Sequence, residues 1–515
     1  MKECHRVPLI VWIIAIVLMS AVVLWPIMRP GFFISDDGEW MIIRLSAFYQ
    51  SLAEGQFPVR FLGRLNHSYG YPVSNFLYPG FLYIGSIIHR IGFSFVDSVK
   101  VILASSVVGG AIILFLWLRG FYRPFASYMG TVGFVFGPYV LFDVYHRGSV
   151  GEILGIFAAI LAWYSVSSGK TWIVPWSVAL LLVSHNSLAL LFIVLLVCYM
   201  LVERKFQNWK PMALGVAMTA FFWFPAIYER RYVLFDSLQI AKPSNYFVDA
   251  KVLYLLNIVP MIAAIVLLTS RQNHGIVRRL RFFLIAFMAS TILATPVAAI
   301  LWKQPLLIKL FQFPYRFLSV GVVVGPWLIA EVIHRANKRL RIGICMVFAA
   351  TWLIPWWTTM QRVDPVVREV GFYTTNEGTT TVADEYMPRW VQVPPKQRAE
   401  KPIEFFSGKG TIQIVEPSTQ KIDAIVDASE RSVMRINTVY YPGWGVQVDG
   451  LPAAIDYQNA RGIMLVAIPA GKHRVNAEFR ETVPRFVADT LSVIAAIVAL
   501  VYSFAQINKK KGITA

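Results

Sequence analysis

Long stretches without a single charge recur along this chain, separated by short clusters of Arg, Lys, Asp and Glu. The uncharged runs fall at 9–28, 101–118, 124–142, 153–169, 171–202, 211–228, 252–270, 282–302, 317–330 and 342–360, with a last one at 486–508. A run of about 20 apolar residues crosses the hydrocarbon of a bilayer as a helix, because only a helix satisfies its own backbone groups there. Run 171–202 is 32 residues long and holds Ser184-His185-Asn186 at its middle. A straight helix of that length, rising about 1.5 Å per residue, overshoots the bilayer by roughly half. The pattern therefore predicts two short passes joined at His185. The first run, Leu9 to Met28, is too long for an ordinary signal-peptide core and lacks a small-residue cleavage site, so it reads as a retained anchor.

A different period takes over near the C-terminus. Thr411-Ile412-Gln413-Ile414-Val415, Val433-Met434-Arg435-Ile436, Val446-Gln447-Val448 and Val475-Asn476-Ala477 alternate apolar and polar positions, and Asp449-Gly450 and Gly471 supply turns. Residues 402–481 thus predict an antiparallel β-sandwich. In the first polar stretch, Asp36-Asp37-Gly38 opens a predicted helical segment from Glu39 to Glu54.

Composition fits a chain dissolved mostly in lipid. Of its 515 residues 57% are hydrophobic and 15% charged, against roughly 25% charged in soluble domains. The net charge of +19 does not point to nucleic acid, because the basic residues sit at the ends of apolar runs. Suppose the N-terminus (Lys2, Arg6) is cytoplasmic, run 171–202 passes twice and the stretch 76–88 only dips in. Then Arg119/Arg123, Lys170, Arg204/Lys205/Lys210, Arg271/Arg278/Arg279/Arg281, Arg335/Lys338/Arg339/Arg341 and Lys509/Lys510/Lys511 all fall inside. The positive-inside tendency then selects twelve crossings of the cell membrane, with both termini cytoplasmic. The fold class is mainly α: a transmembrane domain over 1–360, a soluble extracytoplasmic domain over 361–485, and a final helix with a basic tail over 486–515. Cys4, Cys198 and Cys345 build no disulfide framework and no zinc spacing.

This topology puts 29–100, 143–152, 184–187, 229–250, 303–316 and 361–485 outside. The first of these holds Asp36, Asp37, Glu39, Arg44, Arg60, Arg64, His67 and Tyr71. Asp143, His146, Arg147 and Glu152 lie in the second, His185 and Asn186 at the third, and Gln312 to Arg316 in the fifth. Acids, guanidiniums and imidazole at one membrane face are what transfer from a lipid phosphate needs. A carboxylate can act as general base toward a hydroxyl, and arginines offer bidentate bonds to a phosphate leaving group. Plainer roles exist for each. Asp36-Asp37-Gly38 can simply cap a helix, and Arg44, Arg60 and Arg64 can snorkel to ordinary lipid phosphates. His185 can satisfy backbone at a tight turn, Glu152 can cap the next helix, and Phe313-Pro314-Tyr315 can be a helix start with an interfacial anchor. Asn66-His67-Ser68 fits a glycosylation sequon. Asp36, Asp37 and Glu152 offer oxygens to Mg²⁺ or Mn²⁺, but no spacing demands a metal.

An ordered set of motifs carries a resemblance. Asp37 with Arg44 is followed by Glu54-Gly55-Gln56-Phe57-Pro58-Val59-Arg60, Gly70-Tyr71-Pro72 and Asn75-Phe76-Leu77-Tyr78-Pro79. Arg147-Gly148-Ser149 with Glu152, Ser184-His185-Asn186, Gln312-Phe313-Pro314-Tyr315-Arg316-Phe317, Glu385-Tyr386-Met387-Pro388 and Tyr441-Pro442-Gly443-Trp444 come after it. This resembles the membrane proteins called 6-pyruvoyl-tetrahydropterin synthase-related and the YfhO-like proteins. Both resemble the GT-C superfamily of polyprenyl-phosphate-dependent glycosyltransferases. The resemblance implies a GT-C fold, a catalytic Asp in the first external loop (matched to Asp37, with Asp36 in reserve) and a sugar on a polyprenyl phosphate as donor. Met41 stands where family members often carry His, which argues against a role for an imidazole there.

Two functions follow. One is a membrane glycosyltransferase acting on an extracytoplasmic glycan or lipid acceptor. Asp37 is its base, and Arg44, Arg60, His67, Tyr71, Arg147, Glu152, His185 and Arg316 are its substrate-binding candidates. The other is a transporter, flippase or non-catalytic assembly factor for lipid-linked sugars, which has the same use for arginines but none for a base.

Overall fold

The computed structural model describes residues 7–238, 242–249 and 274–513, so Lys2, Cys4, Arg6, Arg271 and the run 252–270 lie outside the described residues. The helices are α1 (Leu9–Leu24), α2 (Gly38–Ala53), α3 (Gly80–Arg90), α4 (Phe95–Arg119), α5 (Pro124–Val135), α6 (Val150–Ser167) and α7 (Val174–Ser184). After them come α8 (Asn186–Val202), α9 (Trp209–Ala217), α10 (Ala220–Glu229), α11 (His274–Leu293), α12 (Leu318–Arg335), α13 (Lys338–Met360) and α14 (Val483–Ile513), besides shorter turns. Among the described residues, seven helical spans are long and apolar enough to cross a membrane: Leu9–Met28, Phe95–Arg119, Pro124–Arg147, Val150–Ser167, Pro314–Arg335, Lys338–Met360 and Val483–Lys509. The chain is a multi-pass membrane protein. α9 and α10, bent by 64° between them, make an eighth span if counted as one.

Run 171–202 breaks at the predicted residue. Ser165 of α6 meets Ser177 at 3.4 Å, and a side chain at Gly151 would run into the carbonyl of Ser184, so α7 runs antiparallel to α6. Ser167 then meets Tyr199 at 2.9 Å, which brings α8 back along the same neighbour. The chain reverses at His185. The run 282–302 behaves differently from its pattern. α11 begins before it, in the basic stretch, and stops at Leu293. Thr295 precedes Pro296, which disfavours continued helix, and short turns and the seven-residue helix Pro305–Phe311 follow before α12.

Besides the short strand Pro365–Val366, eight strands follow α13 among the described residues: β1 (Ile403–Ser407), β2 (Gly410–Pro417), β3 (Lys421–Ala428), β4 (Ser432–Val439), β5 (Trp444–Val448), β6 (Leu451–Ala453), β7 (Ile463–Ile468) and β8 (Gly471–Phe479). They form a five-stranded sheet ordered β2-β3-β8-β5-β6 and a three-stranded sheet ordered β1-β4-β7, with every pairing antiparallel. Ala424, Val426, Met434, Ile436, Met464, Val466, Val475 and Ala477 are buried in one shared core. Asp449 and Gly450, with φ of +50° and +83°, make the left-handed pair that a tight β5–β6 hairpin requires. Phe32 and Phe33 pair antiparallel with Val366 and Pro365, which ties the start of the first polar stretch to the chain leaving α13.

Candidate functional site

The stretch 143–152, expected as an external loop, is helical. Phe142–Arg147 is one turn of π-helix that continues the α5 span, and Glu152 lies in the first turn of α6. A π turn rotates side chains out of ordinary helical register and often marks a functional site. Here it ends at Gly148, φ +62°. A Cβ at Gly148 would press on the backbone of Gly38, so the glycine lets the start of α2 dock directly on the turn. The amides of Asp36 and Asp37 donate to the carbonyls of His146 and Arg147 at 2.9 and 2.8 Å. Asp37 stands at the N-cap position of α2, but its side chain makes no capping bond.

The Asp37 side chain turns to Arg147 instead. Arg147 donates through Nη2 to Asp37 Oδ2 at 2.5 Å and through Nη1 to Glu152 Oε1 at 2.9 Å. Arg316 donates to the same Glu152 oxygen at 2.8 Å, and Tyr139 donates to the other oxygen at 3.1 Å. His185 Nε2 approaches Glu152 at 3.5 Å, while its Nδ1 accepts from the Leu188 amide and caps α8. The rings of Phe313 and Tyr315 stack on each other, and both guanidiniums lie over Phe313. Glu152 is sealed at 0% exposure, whereas Asp37 keeps 32% of its side chain open. In this arrangement Glu152 fixes the arginines, and Asp37 is the acid left partly open.

Arg44 is buried, and among the described residues no carboxylate pairs with it. Its donors go to the Thr380 carbonyl at 2.6 Å, the Thr380 hydroxyl at 3.1 Å and the sulfur of Met41. Tyr78 stands among these charges, its ring 4.7 Å from that of His185. Burial pushes its phenol up, an effect that Arg44 opposes and that Asp37 and Glu152 reinforce. Arg147 and Arg316 thus hydrogen-bond the carboxylates of Asp37 and Glu152, while Arg44 bonds neutral acceptors. Asp143, also buried near this cluster, has no hydrogen-bond partner on either carboxyl oxygen.

The structure brings Asp37, Arg147, Glu152, His185 and Arg316 together. Asp36 turns outward to His146 at 3.5 Å, and its side chain is 57% exposed. Among the described residues, no hydrogen bond or ion pair joins Arg60, His67 or Tyr71 to the cluster. Arg60, rather than snorkelling, bonds Glu481 at 3.1 Å, Asp489 at 2.6 Å and the Phe221 carbonyl at 2.6 Å. The Tyr71 hydroxyl meets Thr381 at 2.9 Å and accepts from the Tyr386 amide at 3.0 Å. His67 lines a separate cavity. Asn66, the sequon residue, is 1% exposed. Asp36, Asp37 and Glu152 do not converge as an oxygen set, and the described residues contain no metal-holding group of three or more His, Cys, Asp or Glu. Tyr78 and Tyr139 escape sequence reasoning because a tyrosine beside an apolar run reads as an interfacial anchor.

The fold and this cluster define a multi-pass membrane protein with a buried guanidinium–carboxylate network opened to one acid. No family model matches the chain, and no curated protein does. Solved structures similar to it include the mycobacterial arabinofuranosyltransferase AftD, at 13% identity and TM-score 0.48, over 70% of this chain and 28% of that one. ArnT from Cupriavidus metallidurans bound to undecaprenyl phosphate is similar at 13% identity and TM-score 0.45, over 67% of this chain and 64% of that one. The Archaeoglobus fulgidus oligosaccharyltransferase in its apo form is similar at 13% identity and TM-score 0.40, over 70% of this chain and 56% of that one. The chain spans less than two thirds of the length of each.

Proposed function

We propose that this protein moves a glycosyl group from a polyprenyl-phosphate donor to a hydroxyl of an extracytoplasmic glycan or lipid, with Asp37 as general base. One observation carries the reading: a part-exposed carboxylate rests on the guanidinium that a fully buried Glu152 holds in place. A guanidinium resting on an acid that is not sealed suits a phosphate, whose oxygens accept bidentate bonds from arginine. The donor's phosphate would lie against Arg147, Arg316 and Arg44, displacing Asp37 from Arg147 and freeing it for the acceptor. The acceptor oxygen then bonds the anomeric carbon and its proton passes to Asp37. The bond from the anomeric carbon to phosphate oxygen breaks, and the electron pair leaves on a phosphate stabilised by the arginines. The ordered motifs that resemble the GT-C superfamily support the same chemistry, with the cluster on the outer face and both termini inside.

Asp37→Asn tests this. Purified protein in nanodiscs, supplied with a radiolabelled polyprenyl-phosphate sugar, should retain donor binding and lose transfer. Unchanged transfer would reject Asp37 as the base, whereas donor binding with no transfer by the wild type would favour a flippase, which needs the arginines alone.

A further inference from the structure

A second site lies at the other end of α2. Gln50 and Glu54, in and just after its last turn, border a cavity of about 460 Å³ that is closed by parts of the chain far apart in sequence. Its wall takes His67 from the first polar stretch, Thr375 and Arg398 from the segment before the strands, and Asn437 and Trp444 from the strands themselves. Thirteen to seventeen residues of helix put it roughly 20–25 Å from Asp37.

The wall is polar, and its charges are already engaged. Glu377 accepts from Ser68 at 2.8 Å and from Arg398 at 3.1 Å. Glu54 accepts from the amide of Thr419 at 2.7 Å. Arg64 spends its guanidinium on the carbonyl of Thr374 at 2.5 Å and the hydroxyl of Ser46 at 2.6 Å. Of the other charged side chains in the lining, Glu400 and Lys401 are neighbours of opposite sign. The lining holds as many Arg and Lys as Glu, so it offers no net attraction to an anion. An apolar tail would strip water from its hydroxyls and amides without replacing their hydrogen bonds. Hydroxyls such as Ser418 and Thr438 both donate and accept, whereas the amides of Gln50 and Asn437 already donate to Glu54 and to Glu404. A ligand made of neutral hydroxyls matches that set. The volume lies within the range of sites that enclose small organic ligands, about 300–1,000 Å³.

We propose that this cavity binds a short neutral oligosaccharide. The binding rests on the cavity alone. Its place in the reaction, as the holder of the far end of an acceptor glycan whose near end meets Asp37, rests on the transferase reading above.

Calorimetric titration of the full chain in detergent with neutral tetramers of glucose, galactose, mannose and N-acetylglucosamine tests it. At least one tetramer should bind. Ala399→Trp, which fills the cavity, should weaken that binding about tenfold or more, the loss of one or two good hydrogen bonds. Arg398→Ala removes a side chain that is 70% exposed, and so spares the fold; it should weaken binding several-fold. Asp37→Asn should bind as the wild type does, which separates failure of this site from failure of the transferase reading. Absence of binding by every tetramer, equal binding by both cavity variants, or displacement of the sugar by inorganic phosphate would overturn the proposal.

Discussion

Among the buried carboxylates held by arginine, Glu229 and Glu152 differ in how the charge is closed. Glu229, at the end of α10, takes Arg485 on both oxygens at 2.7 and 2.8 Å. It also accepts from Asn75 at 2.8 Å and from Tyr441 at 2.8 Å. One acid, one guanidinium and two neutral donors bring the first polar stretch, α10, the strands and α14 to one point, all of it buried. Glu152 instead serves two guanidiniums, one of which reaches out to a part-exposed Asp37, while Arg44 waits nearby with only neutral acceptors. A buried ion pair is therefore not a sign of chemistry by itself. The difference lies in an acid that is not sealed and in Arg44, which bonds only neutral acceptors: the first cluster is a clasp, and the second leaves one acid open.

The sharpest break between the two comes from removing their acids. Asp37→Asn should lower transfer by about 10²–10⁴-fold, the usual scale of a lost general base, and leave the melting temperature near that of the wild type. Glu229→Gln should do the reverse. It strands Arg485 in a buried place, which costs about 3–5 kcal/mol, so the midpoint of thermal unfolding falls while activity per folded molecule stays close to normal. If Glu229→Gln lost transfer without loss of stability, the clasp would have to be counted as part of the site.

Arg44 gives a finer test, because the two roles predict opposite signs. A buried guanidinium without a carboxylate is a cost to folding, so Arg44→Met should leave stability unchanged or raise it by about 1 kcal/mol or more. The same change should weaken retention of polyprenyl phosphate about tenfold, the loss of one charge-assisted bond. Unfolding curves and lipid titration on one preparation check both. A destabilised variant with normal lipid affinity would make Arg44 a structural residue like Arg60.

Which parts of this were legible in the sequence follows from distance along the chain. The break at His185 was, because a 32-residue uncharged run cannot cross once. The hairpin at Asp449-Gly450 was, because its backbone needs those two residue types. The acids and arginines of the cluster were, since they stand at the edges of apolar runs where charge asks for a reason. The π turn was not: its first residues continue an uncharged run and its last ones look like loop. Nor were the partners of Arg60, since Asp489 lies 429 residues away and only the packed chain brings it near. Tyr78 was hidden by the same ambiguity that makes any tyrosine near a helix end an anchor.

The smallest expected effect lies on the strands, where the same kind of pair stands in water. His473 Nδ1 meets Asp449 Oδ2 at 2.6 Å beside the β5–β6 hairpin. The bond to Asp449 raises the His473 imidazole above its ordinary 6.5, and the same bond lowers the Asp449 carboxyl below 3.8. The signs then set the window. A raised histidine contributes fully below its unfolded value, about 6.5, and loses that contribution as pH rises through the folded one. A lowered aspartate contributes above about 3.8 and loses it as pH falls. The pair therefore helps the hairpin most in mildly acid solution and fades above neutrality. Titration of ¹³C-labelled histidine in the full chain, with His473→Asn to assign the signal among eight histidines, should show an upward shift that Asp449→Asn removes. Transfer should not follow that titration, because the pair is solvated and lies outside the guanidinium cluster. A transfer rate that tracked His473 would tie the strands to the chemistry and erase the distinction between a charge that closes a structure and one left open for a ligand.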